Sequence, residues 1–263
     1  MKKNQVVRPL NNVSTFNAQV DLIVPYHGQY AKVTDLLESI FRLTRSNYYT
    51  VCLVDDCSPN LLYLESVQKN IVKSGRGRAT FRAIRCEEQK GFAGACKMGY
   101  DATESPYVCF INSDCLIEDA NWLRSLGESL LKLKSEDVRM VSAMTNNSVG
   151  GDPSQQGEKD FRTKDDVILP DNSYLSLFCF LCHRELFPRC GGFLKPYPLC
   201  GYEDQEFAAR MRHHGFKQAV CRSSWVYHEG EATLKNLLRN NPDNVAQMEK
   251  NQQRCIEDMR KLL

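Results

Sequence analysis

The chain is short of several things that would decide its class at once. In 263 residues no apolar run approaches the roughly 20 needed to span a bilayer. Charge of one sign is missing too. Lys plus Arg number 34 against 32 Asp plus Glu, a formal net charge of +2, which argues for neither nucleic acid nor an acidic membrane surface. There is no internal repeat and no low-complexity tract, so repeat architectures are excluded. The opening "MKKNQVVRPLNNVSTFN" carries basic residues with no apolar segment after them, and does not read as a secretory signal. A disulfide framework is also absent. The 12 cysteines are scattered through apolar runs such as "YYTVCLVDDC", "YVCFINSDC" and "LFCFLCHREL", where free cysteine packs like a small hydrophobe. The one C-x-x-C spacing, Cys179 and Cys182 in "CFLC", has no second pair, so no zinc site is indicated. A reduced, cytoplasmic protein is the expectation.

What is present is ordinary for a globular chain with a real core: 42% hydrophobic and 25% charged residues. The length suits one generous domain, or one domain with appendages. Buried-type strands are expected at 20–26, 49–56, 80–86, 107–112 and 138–145, and helices at 31–44, 61–74, 93–103 and 120–134. Strands alternating with helices imply parallel pairing and right-handed crossovers, hence a doubly wound α/β sheet. A polar stretch at 146–172 follows, then apolar "YLSLFCFLCHRELF", an acidic helix near 203–214, and a strand at 217–228. The tail, 231–263, has helical spacing. It is compatible with packing on the domain, pairing with a second copy, or loose order.

In such sheets ligands bind beyond the carboxyl ends of the strands, and the acids fall there. Asp55 and Asp56 end the second strand in "LVDDCSPN", placed to accept from a nucleobase N–H or ribose hydroxyls, or equally to build a polar turn. "INSDC" puts Asn112 and Asp114 two apart, with Ser113 between them, on the loop leaving the fourth. Both oxygens there can face one ligand. A carboxylate beside a diphosphate is how Mg2+ or Mn2+ is usually held; an Asx turn with Asp114 or Asp119 as a helix cap is the plainer account. Glycines 91, 94 and 99 in "KGFAGACKMGYDA" suit either a nucleotide approach or a strand-to-helix turn. His228 ends the last strand in "WVYHEG", where a neutral imidazole can offer a nitrogen ligand or serve the structure. His213 and His214 read as surface residues complementing a helix dipole. "LCGYEDQEFAARMRHHGF" opens a helix with Glu203, Asp204 and Glu206. Acids in a first turn complement the dipole; a catalytic base held over a substrate is the other account.

Taken in order, these segments resemble glycosyltransferase family 2, inverting enzymes of the GT-A fold, over roughly 19–230. "LIVPYHGQYAKVTDLLESI" is similar to the family's opening strand and helix, "LVDDCSPN" to its acidic turn, and "KGFAGACKMGYDA" to its donor segment. "FINSDCLIEDANWLRSL" resembles the metal motif in the Asn-x-Asp form of rhamnosyltransferase-like members. The run from "FCFLCHRELF" through the Glu-Asp helix to "WVYHEG" resembles the acceptor half.

The resemblance implies a GT-A domain with a nucleotide-sugar half (19–145) and an acceptor half (146–230), preceded by an extension (1–18) and followed by a tail (231–263). It implies that Pro25, Asp55, Asp56, Gly91, Phe92, Asn112 and Ser113 bind the donor, and that Asp114 and His228 hold Mn2+ or Mg2+. Asp204 is then the general base, with Glu203 beside it orienting the acceptor. The partners implied are a nucleotide-sugar donor, dTDP- or UDP-linked and possibly dTDP-rhamnose, and a glycan or other hydroxyl acceptor, with a homo-oligomer through the tail as an option. Asn112 departs from members carrying Asp there, and the first strand lacks the Asn that often follows it. A sugar-nucleotide nucleotidylyltransferase and a non-catalytic binding relative are the alternatives. The first would want a glycine-rich basic loop soon after the first strand, where "PYHGQYAK" offers one Gly and one Lys.

Overall fold

A computed structural model of the chain describes residues 16–45, 48–60, 79–163, 165–198, 201–230 and 243–262. In chain order they form β1 (Val20–Tyr26), α1 (Tyr30–Leu43), β2 (Tyr49–Asp55), β3 (Ala79–Arg85), α2 (Gly91–Asp101), β4 (Tyr107–Ile111), β5 (Cys115–Ile117) and α3 (Trp122–Lys132). There follow β6 (Val138–Met144), β7 (Val167–Ile168), β8 (Cys179–His183), α4 (Leu186–Arg189), α5 (Glu203–His213), β9 (Lys217–His228) and α6 (Asp243–Arg260). The helix expected at 61–74 lies outside the described residues.

The sheet runs β3-β2-β1-β4-β8-β6-β9-β5, with β7 added on β9. Its first four strands are parallel. β1 is buried at every residue, as apolar runs such as "DLIVPY" must be when helices cover both faces. The core lies in two layers. Leu36, Leu37 and Ile40 of α1 pack with Trp122 and Leu126 of α3 on one face. Ala95 and Cys96 of α2 pack with Phe207 and Met211 of α5 on the other.

Two features depart from simple alternation. β8 enters between β4 and β6, antiparallel to both. It starts beside the end where β6 finishes, Ser142 lying opposite Phe180, so without a crossover helix the chain must run back. β9 first follows β6 in parallel, then shifts register before Trp225, and its last residues pair antiparallel with β5. That final pairing sets Cys115 opposite His228, and so brings two loops far apart in sequence side by side.

The polar stretch after β6 is ordered around Gln155. Its Nε2 donates to Ser142 Oγ and Ser176 O at 2.9 and 3.2 Å, and its Oε1 accepts from Ser176 N at 2.7 Å. At the amino end Phe16 is buried edge-on to Tyr107 at 5.0 Å. Residues of the expected extension thus belong to the core. At the other end α6 packs on α5, so the described part of the tail covers its own domain. No helix among the described residues is long and apolar enough to cross a membrane.

Candidate active site

A cleft of about 480 Å³ opens beyond the carboxyl ends of β1 and β4, the position a parallel sheet offers a ligand and a volume within the usual range for small-molecule sites. Its lining includes Pro25, Asp56, Gly91, Phe92, Asn112, Ser113, Asp114, Glu203, Asp204 and His228. Of the site residues that the family resemblance implies, only Asp55 stands outside the cleft.

The first acid pair is fully engaged. Asp55 is completely buried and pairs with the Arg85 guanidinium, while its Oδ1 accepts from Ser58 N at 2.8 Å. Arg85 also donates to Ser58 O at 2.7 Å, so the whole turn is tied to β3. Asp56 faces the cleft, but its two oxygens accept from Lys90 N at 2.7 Å and Gly91 N at 2.9 Å. The amino end of α2 is therefore closed by a carboxylate from the chain itself and is not an open anion seat. Gly91 sits at φ 70°, in the left-handed region where glycine fits best. Gly99 lets the same helix lie on the sheet, since a Cβ there would meet Ile23 at 2.5 Å.

The loop after β4 carries the second group. His228 Nδ1 lies 2.8 Å from Asn147 O. A carbonyl can only accept, so Nδ1 carries the proton and neutral imidazole presents a bare Nε2. That nitrogen is 3.4 Å from Asp114 Oδ1 and 3.5 Å from Asn112 Nδ2. The ring is stacked on Phe178 at 4.9 Å, and Asn146 brackets the backbone of His228, accepting from its N at 2.9 Å and donating to its O at 3.0 Å. Burial pushes the Asp114 carboxyl up, but when the facing ring is protonated, hydrogen bonding and charge from His228 outweigh it and hold it below its ordinary value. A carboxylate oxygen and an imidazole lone pair turned toward each other suit a shared cation, and the nitrogen–oxygen donor set fits a divalent metal. Cys115 lies close to both, but its thiol points at Phe178 O and burial pushes it well above its ordinary value, so it stays neutral. The loop leads into a short strand, not a helix, so Asp114 caps nothing; Asp119 Oδ1 accepts from Asn121 N at 3.1 Å.

The third group opens α5. Tyr202 precedes it at φ 74°, turning the chain so that Glu203 and Asp204 both line the cleft. Glu203 is 5% exposed, and its Oε1 has no hydrogen-bond partner. Burial pushes its carboxyl up to about 8. Burial also pushes the half-buried Asp204 up to about 6, against a hydrogen bond from Gln205 N at 3.0 Å. At neutral pH Glu203 is therefore mostly protonated and Asp204 mostly ionised. Two adjacent carboxyls in different states are what acid–base chemistry requires. Glu206, the third acid of the turn, is fully buried and paired with Arg210 at 2.8 Å and Lys195 at 3.2 Å, a structural role. His213 and His214 are exposed at the end of the helix.

Some contributors had no sequence signal. Asn146 and Asn147, which fix His228, sit in an unremarkable polar run. Tyr174, Gln205 and Met248 also line the cleft. Among the described lining residues there is no Lys or Arg.

Residues 21–191 match the family model described as Glycosyl transferase family 2. No curated protein sequence matches the chain significantly. Among solved structures, GalNAc-T7 with UDP, GalNAc and Mn2+ is 16% identical at a TM-score of 0.62, covering 81% of this chain and 44% of that one. The mannosyltransferase PcManGT from Pyrobaculum calidifontis, in complex with GDP-Man and Mn2+, is 16% identical at 0.60, with 81% and 57% covered. TarS 1–349 of S. aureus in complex with UDP-GlcNAc is 17% identical at 0.55, with 80% and 58% covered. The chain spans less than two thirds of the length of each, and at such identity the likeness is one of fold. That fold is the GT-A arrangement, a large, mostly parallel sheet with the cleft at its carboxyl edge. With the match running from β1 through the loop after β4 to the end of α4, the chain belongs to glycosyl transferase family 2.

Proposed function

We propose that the protein is an inverting transferase that moves a hexosyl or deoxyhexosyl group from a nucleotide sugar to a hydroxyl of a glycan or other acceptor. The observation that carries this reading is that one cleft holds the facing Asp114–His228 pair together with the unlike carboxyls of Glu203 and Asp204. Pro25, Asp56, Gly91 and Phe92 form the wall for the nucleotide, with Asn112 and Ser113 beside the diphosphate. Asp55 supports this wall from behind. Asp114 and His228 would hold Mn2+ or Mg2+, whose chemistry is to neutralise charge on the departing diphosphate.

Asp204, ionised at neutral pH, takes the proton of the acceptor hydroxyl. The hydroxyl oxygen attacks the anomeric carbon on the face opposite the diphosphate; the new C–O bond forms as the bond to the phosphate oxygen breaks, and the carbon inverts. Help from such a base is typically worth about 10²–10⁴ in rate. Glu203, neutral, donates a hydrogen bond that orients the acceptor.

The Asn112-Ser113-Asp114 order resembles the rhamnosyltransferase-like form, which supports a dTDP- or UDP-sugar by analogy; two of the three neighbours named above were solved with uridine nucleotides. All 11 cysteines among the described residues are free, which supports a reduced, cytoplasmic setting. The test is to incubate the protein with nucleotide sugars and Mn2+, with and without simple glycosides. Release of nucleoside diphosphate is expected; release of pyrophosphate would favour a nucleotidylyltransferase, and binding without turnover a non-catalytic module.

A further inference from the structure

The helix α6 lies beyond the residues that match the family, yet it reaches the cleft. Met248 lines the wall beside Gly201, Glu203 and Asp204, and its methyl group stands 2.7 Å from where a Cβ on Gly201 would lie. Farther along the helix, Asn251 Nδ2 donates to Pro198 O at 2.8 Å and Arg254 Nη1 to Pro196 O at 3.1 Å. Cys255 Sγ donates to Tyr202 O at 3.8 Å. Lys195 bridges Glu206 of α5 and Asp258 of α6, at 3.2 Å each. One helix thus grips both ends of the segment that delivers the two carboxyls.

The surroundings of Asp204 are of two kinds. Tyr174, Tyr202 and Met248 offer aromatic and thioether surface, and Tyr174 is near enough that, after burial, the Asp204 charge raises its phenol. Glu203 offers a buried carboxyl oxygen without a partner, an arrangement that costs free energy until a ligand's hydroxyl reaches it. A sugar ring matches both, with an apolar C–H face for the rings and the thioether and hydroxyls at its edge for the carboxyls.

The geometry points to an acceptor subsite for a sugar ring, seated by its C–H face against Met248 and the two tyrosines with one hydroxyl on Asp204, so that α6 is a wall of the acceptor site. This rests on the transferase reading and adds to it the class of acceptor and the element that selects it.

The test uses the full chain labelled uniformly with 15N and with 13C-methyl methionine, the Met248 resonance being assigned through Met248→Leu. UDP and dTDP, each with Mn2+, are titrated first, followed by methyl glycosides of glucose, galactose, N-acetylglucosamine and rhamnose. The nucleotides are expected to shift the amides of Gly91 and Ser113 with little effect on the Met248 methyl, and at least one glycoside to move that methyl. Met248→Ala is expected to weaken the same glycoside about 10-fold, the scale of a lost apolar contact, with nucleotide affinity unchanged. A Met248 methyl that answers no glycoside, or equal glycoside binding by Met248→Ala, overturns the subsite. A glycoside response without any nucleotide response would sink the transferase reading and leave the sugar subsite standing.

Discussion

Two pairs of adjacent acids stand at the carboxyl edge of the sheet, one of them with a single member in the cleft, and they have opposite fates. Asp55 and Asp56 end a strand, and among the described residues their oxygens are held by the Arg85 guanidinium and three backbone amides. Glu203 and Asp204 open a helix, where one oxygen has no partner and burial raises both carboxyls. The first pair builds a wall. The second is held in a state that a substrate can exploit. Adjacent acids in a sequence look alike; what separates them is whether the fold has already satisfied their oxygens.

The contrast can be broken most sharply at Asp55. Asp55→Ala leaves Arg85 with only Ser58 O and Ser58 N without its acceptor, and is expected to cost about 1–3 kcal/mol in urea unfolding. Unchanged stability would place Asp55 among the functional acids. Next comes the cation pair. Asp114→Ala is expected to weaken nucleotide-sugar binding by about 10–100-fold in the presence of Mn2+ and to flatten the Mn2+ titration, checked by calorimetry; an unaltered Mn2+ response would remove Asp114 as a ligand.

A third effect is read in stability against pH. Glu203 ordinarily titrates at 4.5, and in the fold at about 8. Between those values the unfolded chain loses this proton while the folded chain keeps it, so stability falls as pH rises, by at most about 1.4 kcal/mol per pH unit. Glu203→Gln removes that penalty. Its melting temperature is expected to gain on the parent from pH 5 to pH 8, and a constant difference across that range would show that Glu203 is not held protonated.

The alternation that forms the β1 to β4 sheet was legible because buried parallel strands leave continuous apolar runs, and their boundaries fall within a residue or two of those expected. The cleft residues were legible for the same reason, since strand ends in such a sheet all face one edge. Asp55 was misplaced among them because side chains alternate along a strand, and one residue decides between core and cleft. The insertion of β8 was not legible, because an apolar run does not say which neighbour it pairs with or in which direction. Nor were Asn146 and Asn147, whose work depends on β9 bending to meet β5. Met248 was hidden in a tail whose helical spacing said nothing of where the helix would lie.

The central claim is that Asp204 acts as an ionised base, and the pH profile of nucleoside diphosphate release tests it most directly. With Asp204 raised to about 6, kcat/KM of the parent should climb through pH 6, because the base works only when deprotonated, and bend down again near pH 8, where Glu203 loses the proton it donates. Asp204→Asn should bind the donor as before yet turn over at least about 100-fold more slowly, with that acid limb gone. A variant as fast as the parent, or one that keeps the limb near pH 6, would contradict the account.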